Sequence, residues 1–130
     1  MKYADTTHWL LTFLMNSGSL EFFFGSICYL PQLAYFKEGA ILFIIGSAFF
    51  FSCDVIICLH TPELGPLKVF QNAGSFRYTI TIIANLLFII GSVCFIPSIS
   101  PTTGSFLFIA GCAILFIAQI VTVHGFYSKN

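Results

Sequence analysis

The sequence predicts an all-α membrane protein, a single domain over residues 1–130 with four transmembrane helices paired as two tandem α-hairpins. Three observations predict it. Charged residues make up 8% of the chain and hydrophobic ones 58%, with 17 Phe, whereas a soluble domain carries about a quarter charged residues. A chain this short cannot hide so much apolar surface in its own core. The apolar stretches are also long enough for four spans of about 20 residues each. Finally, one pattern recurs four times: a small residue, Phe four positions on, Gly three further, then Ser or Cys. It reads Gly18-Phe22-Gly25-Ser26, Gly39-Phe43-Gly46-Ser47, Ala84-Phe88-Gly91-Ser92 and Gly104-Phe108-Gly111-Cys112. Gly25 and Gly46 lie 21 residues apart, Gly91 and Gly111 lie 20 apart, and the halves are offset by 66 at their first glycine and 65 at their second. That is the arithmetic of a duplicated two-helix unit.

The elements follow in order. Helix one runs from about His8 to Leu30 and stops near Pro31; helix two runs from about Gly39 to His60, so the first hairpin covers 8–60. The linker, 61–77, contains Pro62, Gly65, Pro66 and Gly74, with a short interfacial helix expected around Leu67 to Asn72. No formally charged residue lies between Arg77 and Lys129, and Pro97-Ser98-Ile99-Ser100-Pro101 divides that stretch. Helix three is therefore Tyr78 to about Ile96 and helix four about Gly104 to Phe126, giving a second hairpin over 78–126. Pro31 and Pro97 each follow a motif Gly by six residues, where a helix ending is natural. The two hairpins share one in-out-in course, so approximate twofold symmetry about the membrane normal is expected.

With four spans, both termini and the central loop share one side. That side carries Lys2, Lys68, Arg77 and Lys129, and the other only Lys37. The positive-inside rule then places both termini in the cytoplasm or its topological equivalent. The start lacks the short apolar region and small-residue cleavage site of a signal peptide, so the first span is expected to act as a signal anchor. The formal charge is zero with no basic run, which gives no footprint for nucleic acid. The bilayer and other membrane subunits, or a second copy of the chain, are the expected partners.

The run Leu87-Phe88-Ile89-Ile90-Gly91-Ser92-Val93-Cys94-Phe95-Ile96-Pro97, followed by Phe108-Ile109-Ala110-Gly111-Cys112, resembles the YrhK-like proteins. These are small membrane proteins of uncharacterised function built on a two-helix unit. The resemblance covers Phe76 to about Phe126 well and Ser17 to Cys53 less well, where Glu21 interrupts the apolar run. It implies a fold unit and brings no catalytic or binding residues with it. Tyr29-Leu30-Pro31-Gln32 is also similar to the Pro-Gln signature of sugar transporters of the SWEET and PQ-loop type. Those units have three helices with a kinked helix that continues, whereas here Gly39 begins another span too soon.

Gly25, Gly46, Gly91 and Gly111, flanked by Phe22, Phe43, Phe88 and Phe108, are expected to be packing residues. Small residues let membrane helices cross closely. Counting from the turns, all four glycines fall at one depth, about 10 Å below the outer boundary at 1.5 Å per residue. Glu21 falls about 15 Å down, near mid-bilayer, where a charged side chain is costly and marks a functional site or a buried contact. Asp54 falls about 22 Å down with Asn16 and Gln119 level with it, and Asn85 falls near Glu21. These five residues form a candidate intramembrane polar site.

Other chemistry finds no support. His8, His60 and His124 sit near one boundary but none is spaced for shared metal ligation, and Cys28, Cys53, Cys58, Cys94 and Cys112 include no Cys-x-x-Cys pair. No metal or cofactor is expected. No nucleophile triad, phosphate loop or metalloprotease helix is present, so no enzyme is expected. The sequence points to a non-enzymatic structural or accessory subunit of a membrane complex. The alternative is a small proton- or cation-coupled transporter or channel using Glu21 and Asp54.

Overall fold

The computed structural model describes the backbone of residues 2–61 and 71–127 and the side chains of 6–61 and 71–121. Its helices are α1 (Lys2–Cys28), α2 (Phe36–His60), α3 (Ala73–Cys94) and α4 (Pro101–Tyr127). All four contain stretches long and apolar enough to cross a membrane. The outer surface carries Trp9, Phe13, Phe23, Phe106, Ile109 and Phe116, all well exposed. That much exposed apolar surface belongs in lipid, and the chain is an integral membrane protein.

Local chemistry explains where the helices start and stop. Asn72 has extended backbone angles and its side chain accepts from the Ser75 amide at 2.6 Å. This N-cap starts α3 five residues before the expected Tyr78. At α4, Pro101 occupies the first helical position, where its missing N–H costs nothing. The Ser100 hydroxyl accepts from the Thr103 amide at 3.4 Å, so the helix starts three residues before the expected Gly104. The turn between α1 and α2 puts Ala34 at φ 54°, a left-handed conformation unfavourable for any residue with a Cβ. Of the interfacial helix expected around Leu67 to Asn72, residues 67–70 lie outside the described residues; Gln71 and Asn72 are not helical.

The glycines meet in pairs, and not in the single layer expected. A Cβ on Gly25 would lie 3.2 Å from the Gly39 carbonyl oxygen, and one on Gly46 would lie 3.0 Å from that of Gly18. In the second hairpin a Cβ on Gly104 would lie 2.8 Å from the Gly91 carbonyl oxygen. Ala84 stands in for Gly18, and Gly111 faces the Phe88 ring. Gly18, Gly39 and Gly104 thus each face the second glycine of the neighbouring helix, in two layers seven residues, or about 10 Å, apart. The expectation failed because Gly25 is three residues from the end of α1 whereas Gly46 is ten from the start of α2. In an antiparallel pair those positions cannot be level.

Helix α1 packs on α2, α2 on α3 and α3 on α4, while among the described residues α1 and α4 make no comparable contact. A twofold axis relating the hairpins would turn the α2–α3 contact into an α4–α1 contact. The expected symmetry therefore holds for the hairpins and their aromatic core, described next, and fails for the helix packing.

Candidate functional site

The four motif phenylalanines meet at the centre. Phe22 lies 5.3 Å from Phe43, Phe43 5.8 Å from Phe108, Phe108 5.0 Å from Phe88, and Phe88 6.4 Å from Phe22, measured between ring centroids. The contacts close a cycle in which every helix supplies one ring. Toward the hairpin turns a second aromatic layer continues it: Tyr29 stacks on Phe43 at 5.3 Å, and Phe95 meets Phe108 at 5.0 Å and Tyr29 at 5.7 Å. Tilted and edge-on pairs at these distances are the favoured arrangements of aromatic rings. The turn-side half of the bundle is solidly packed.

Below the phenylalanines, toward the termini, the bundle opens into a cavity of about 540 Å³ lined from all four helices. Helix α1 contributes Met15 and Phe22, α2 contributes Phe50, Cys53, Asp54 and Ile57, α3 contributes Arg77, Tyr78, Thr81, Asn85 and Phe88, and α4 contributes Leu115, Ala118 and Gln119. Its polar centre is Asp54. The Asn85 amide nitrogen donates to Asp54 Oδ2 at 2.6 Å, and Asn85 is only 5% exposed. Arg77 lines the same cavity and, among the described residues, brings a positive charge toward the Asp54 carboxylate; its guanidinium lies 4.3 Å from the centre of the Tyr78 ring. A largely apolar pocket with a few convergent polar groups is the usual form of a small-molecule site.

Of the five polar residues singled out in the sequence, the structure brings three to this cavity: Asp54, Asn85 and Gln119. Glu21 is half-buried on α1 and is not among the cavity residues, and Asn16 is exposed on the outer side of α1. Asn85, expected at the level of Glu21, is hydrogen-bonded to Asp54; depths counted from the loops do not give the register between α2 and α3. Sequence reasoning missed Arg77, Tyr78 and Thr81. Tyr78 and Thr81 fell inside the expected third helix without being singled out, whereas Arg77 was assigned to the linker, and the Asn72 cap was the signal that α3 starts early enough to include it. Among the described residues no cluster of His, Cys, Asp and Glu could hold a metal; the side chain of His124 lies outside them.

The duplication also shows what the open side of the bundle is. On α2, Ala40, Ser47 and Asp54 recur every seven residues and so share a face. Asn85 and Ser92 share the facing stripe of α3, and Ala40, Ser47 and Ser92 have no exposed surface. Shifted by the repeat, the α2 stripe becomes Ser105, Cys112 and Gln119 on α4, and the α3 stripe becomes Ser19 and Ser26 on α1. All five are exposed. The Ser19, Ser26 and Ser105 hydroxyls bond the carbonyls of Met15, Phe22 and Pro101 in their own helices. Their surfaces are thus as compatible with close packing as that of Ser92, which does the same to Phe88 while fully buried.

Residues 72–124, all of α3 and most of α4, match the model of the family described as YrhK-like protein. That segment is similar to the YrhK-like family. No curated protein and no solved structure matches the chain. The matched segment includes the motif residues Phe88, Gly91, Phe108 and Gly111, and the cavity residues Arg77, Asn85 and Gln119. The first hairpin lies outside the match; it repeats the Phe-Gly motif and holds an equivalent place in the ring of phenylalanines.

Proposed function

We propose that this protein is a non-enzymatic accessory subunit of a membrane complex, lying with both termini on the cytoplasmic side and packing a transmembrane helix of another subunit along its α1–α4 side. One observation carries the reading. The residues that bury the α2–α3 contact have repeat equivalents on α1 and α4, and these face outward with nothing packed on them. A stripe of small and weakly polar residues is how helices recognise each other where lipid supplies no hydrophobic driving force. The stripe ends in Gln119, the counterpart of Asp54, whose exposed amide offers a hydrogen bond to an arriving helix. Such contacts contribute about 0.6–2 kcal/mol each.

The test is purification from native membranes in a mild detergent, comparing wild type with Ser26→Leu and Ser105→Leu. Wild type is expected to migrate as a discrete complex. Each Leu variant should fold, since its site is exposed, and run as the free chain, while Ile109→Leu, on the lipid-facing surface, should leave the complex intact. A monomeric wild type, or Leu variants that assemble normally, would remove the proposal. A complex containing only this chain would make the partner a second copy.

The cavity favours a second reading, a small solute-binding or transport protein working through Asp54. Its weight falls on Asp54 alone, since Glu21 stands apart from the cavity residues and the phenylalanine ring closes the turn-side end.

A further inference from the structure

We infer that the cavity at Asp54 is a binding site for an organic ammonium ion. It rests on the second reading above, and its lining shares Gln119 with the outward stripe of α4. The site combines the two features that recognise such ions. One is a carboxylate: Asp54 Oδ2 is held at 2.6 Å by Asn85, which fixes the carboxylate in the cavity, and among the described residues no hydrogen bond occupies Oδ1. The other is a set of aromatic faces. Phe22, Phe50 and Phe88 line the same space from three helices, while the Tyr78 ring beside them already carries the Arg77 guanidinium; aromatic rings around a cavity attract quaternary and alkylated ammonium ions through their electron-rich faces. The volume, about 540 Å³, lies in the range of small-molecule pockets, about 300–1,000 Å³. A bare metal ion would leave most of it empty and find one carboxylate and few oxygen ligands, whereas an ammonium ion carrying apolar substituents fills the apolar walls and neutralises the acid at once.

Arg77 sets the charge balance. Its guanidinium faces Tyr78 and acts on Asp54, so the cavity without a ligand is not a bare anion in the membrane. An entering ammonium ion takes over that role and competes with Arg77. The source of the ion is either a free amine or the headgroup of a choline or ethanolamine lipid, which present the same chemistry.

The experiment is titration calorimetry of the full chain in a neutral maltoside detergent, with benzyltrimethylammonium as probe and benzenesulfonate as the anion of similar size. The cation is expected to bind and the anion not. Asp54→Asn, which retains a hydrogen bond to Asn85, should weaken cation binding by about tenfold or more, equivalent to one lost charge-assisted contact. Arg77→Gln should tighten it. Equal binding of the two probes to wild type, or unchanged affinity in a folded Asp54→Asn chain, would overturn the inference. The comparison of probes decides the matter even if Asp54→Asn does not fold. In nanodiscs of phosphatidylglycerol, competition by added phosphatidylcholine would identify a lipid headgroup as the source. Undiminished probe binding there would identify a free ammonium ion; either result keeps the site.

Discussion

Replacing Gly104 by Ala tests the helix crossing of the second hairpin at its tightest point. The new Cβ would sit 2.8 Å from the Gly91 carbonyl oxygen, where ordinary contact begins at 3.4 Å, a shortfall of 3.4 − 2.8 = 0.6 Å. No side-chain rotation relieves it, because the obstacle is backbone, and Cys94 Cβ and the Phe95 amide nitrogen, both at 3.3 Å, block the flanks. The α3–α4 pair has to separate, and overpacking of this kind costs about 1–3 kcal/mol. Against that, Ala is favoured over Gly in a helix interior by at most about 1 kcal/mol. The gain is smaller here because Gly104 lies in the first turn of α4. The net expectation is a loss of about 1–2 kcal/mol. Gly111→Ala is the matched control. Its Cβ would meet only Phe88 ring atoms, at 3.0–3.3 Å, and a ring can shift by tenths of an ångström, so propensity and crowding should roughly cancel. The assay is SDS unfolding in mixed micelles followed by far-ultraviolet circular dichroism. A Gly104→Ala chain as stable as wild type, or less affected than Gly111→Ala, would refute the backbone-limited crossing.

Three further outcomes are expected. Gly46→Leu, whose Cβ alone would fall 2.6 Å from the Phe22 ring and 3.0 Å from the Gly18 oxygen, should lower the thermal midpoint in detergent strongly, while Ile44→Leu should be nearly silent on the same measurement. Ala34→Gly should raise stability by about 0.5–1 kcal/mol, because Gly adopts the left-handed φ of 54° without strain; an unfolding midpoint at or below wild type would count against strain in that turn. Glu21→Gln should leave assembly intact in native gels and leave ammonium binding unchanged, since Glu21 is not among the cavity residues; loss of either would give Glu21 a role the geometry does not supply.

The helical pattern was legible because its signals are local and repeated. Composition, span length and the four Phe-Gly motifs need no knowledge of the partner helix. Depth was not legible. Gly25 and Gly46 seem equivalent when counted from the loop, yet the antiparallel register sets Gly25 against Gly39 and Gly46 against Gly18. The site was half legible for the same reason. Asp54 and Asn85 stand out as polar residues in apolar spans, but their pairing depends on the register between α2 and α3, which no count along the sequence contains. Arg77 was hidden by its position near a predicted boundary. Glu21 misled because a charge in a span is conspicuous whether or not it faces anything.

The cycle of four phenylalanines has a consequence for how such a protein assembles. Each ring touches one ring from its own hairpin and one from the other, so a lone hairpin holds half a cycle with two unmatched edges. In a bilayer a chain with one hairpin would have to find its other half by lateral collision, and the outcome would depend on how many copies the membrane contains. Here both halves are tethered by the segment 61–72 between α2 and α3. The meeting of the halves becomes intramolecular, with an effective concentration set by the tether. Dilution in the membrane then cannot separate them, and two sequences free to diverge can keep Asp54 in one half while the other carries Gln119.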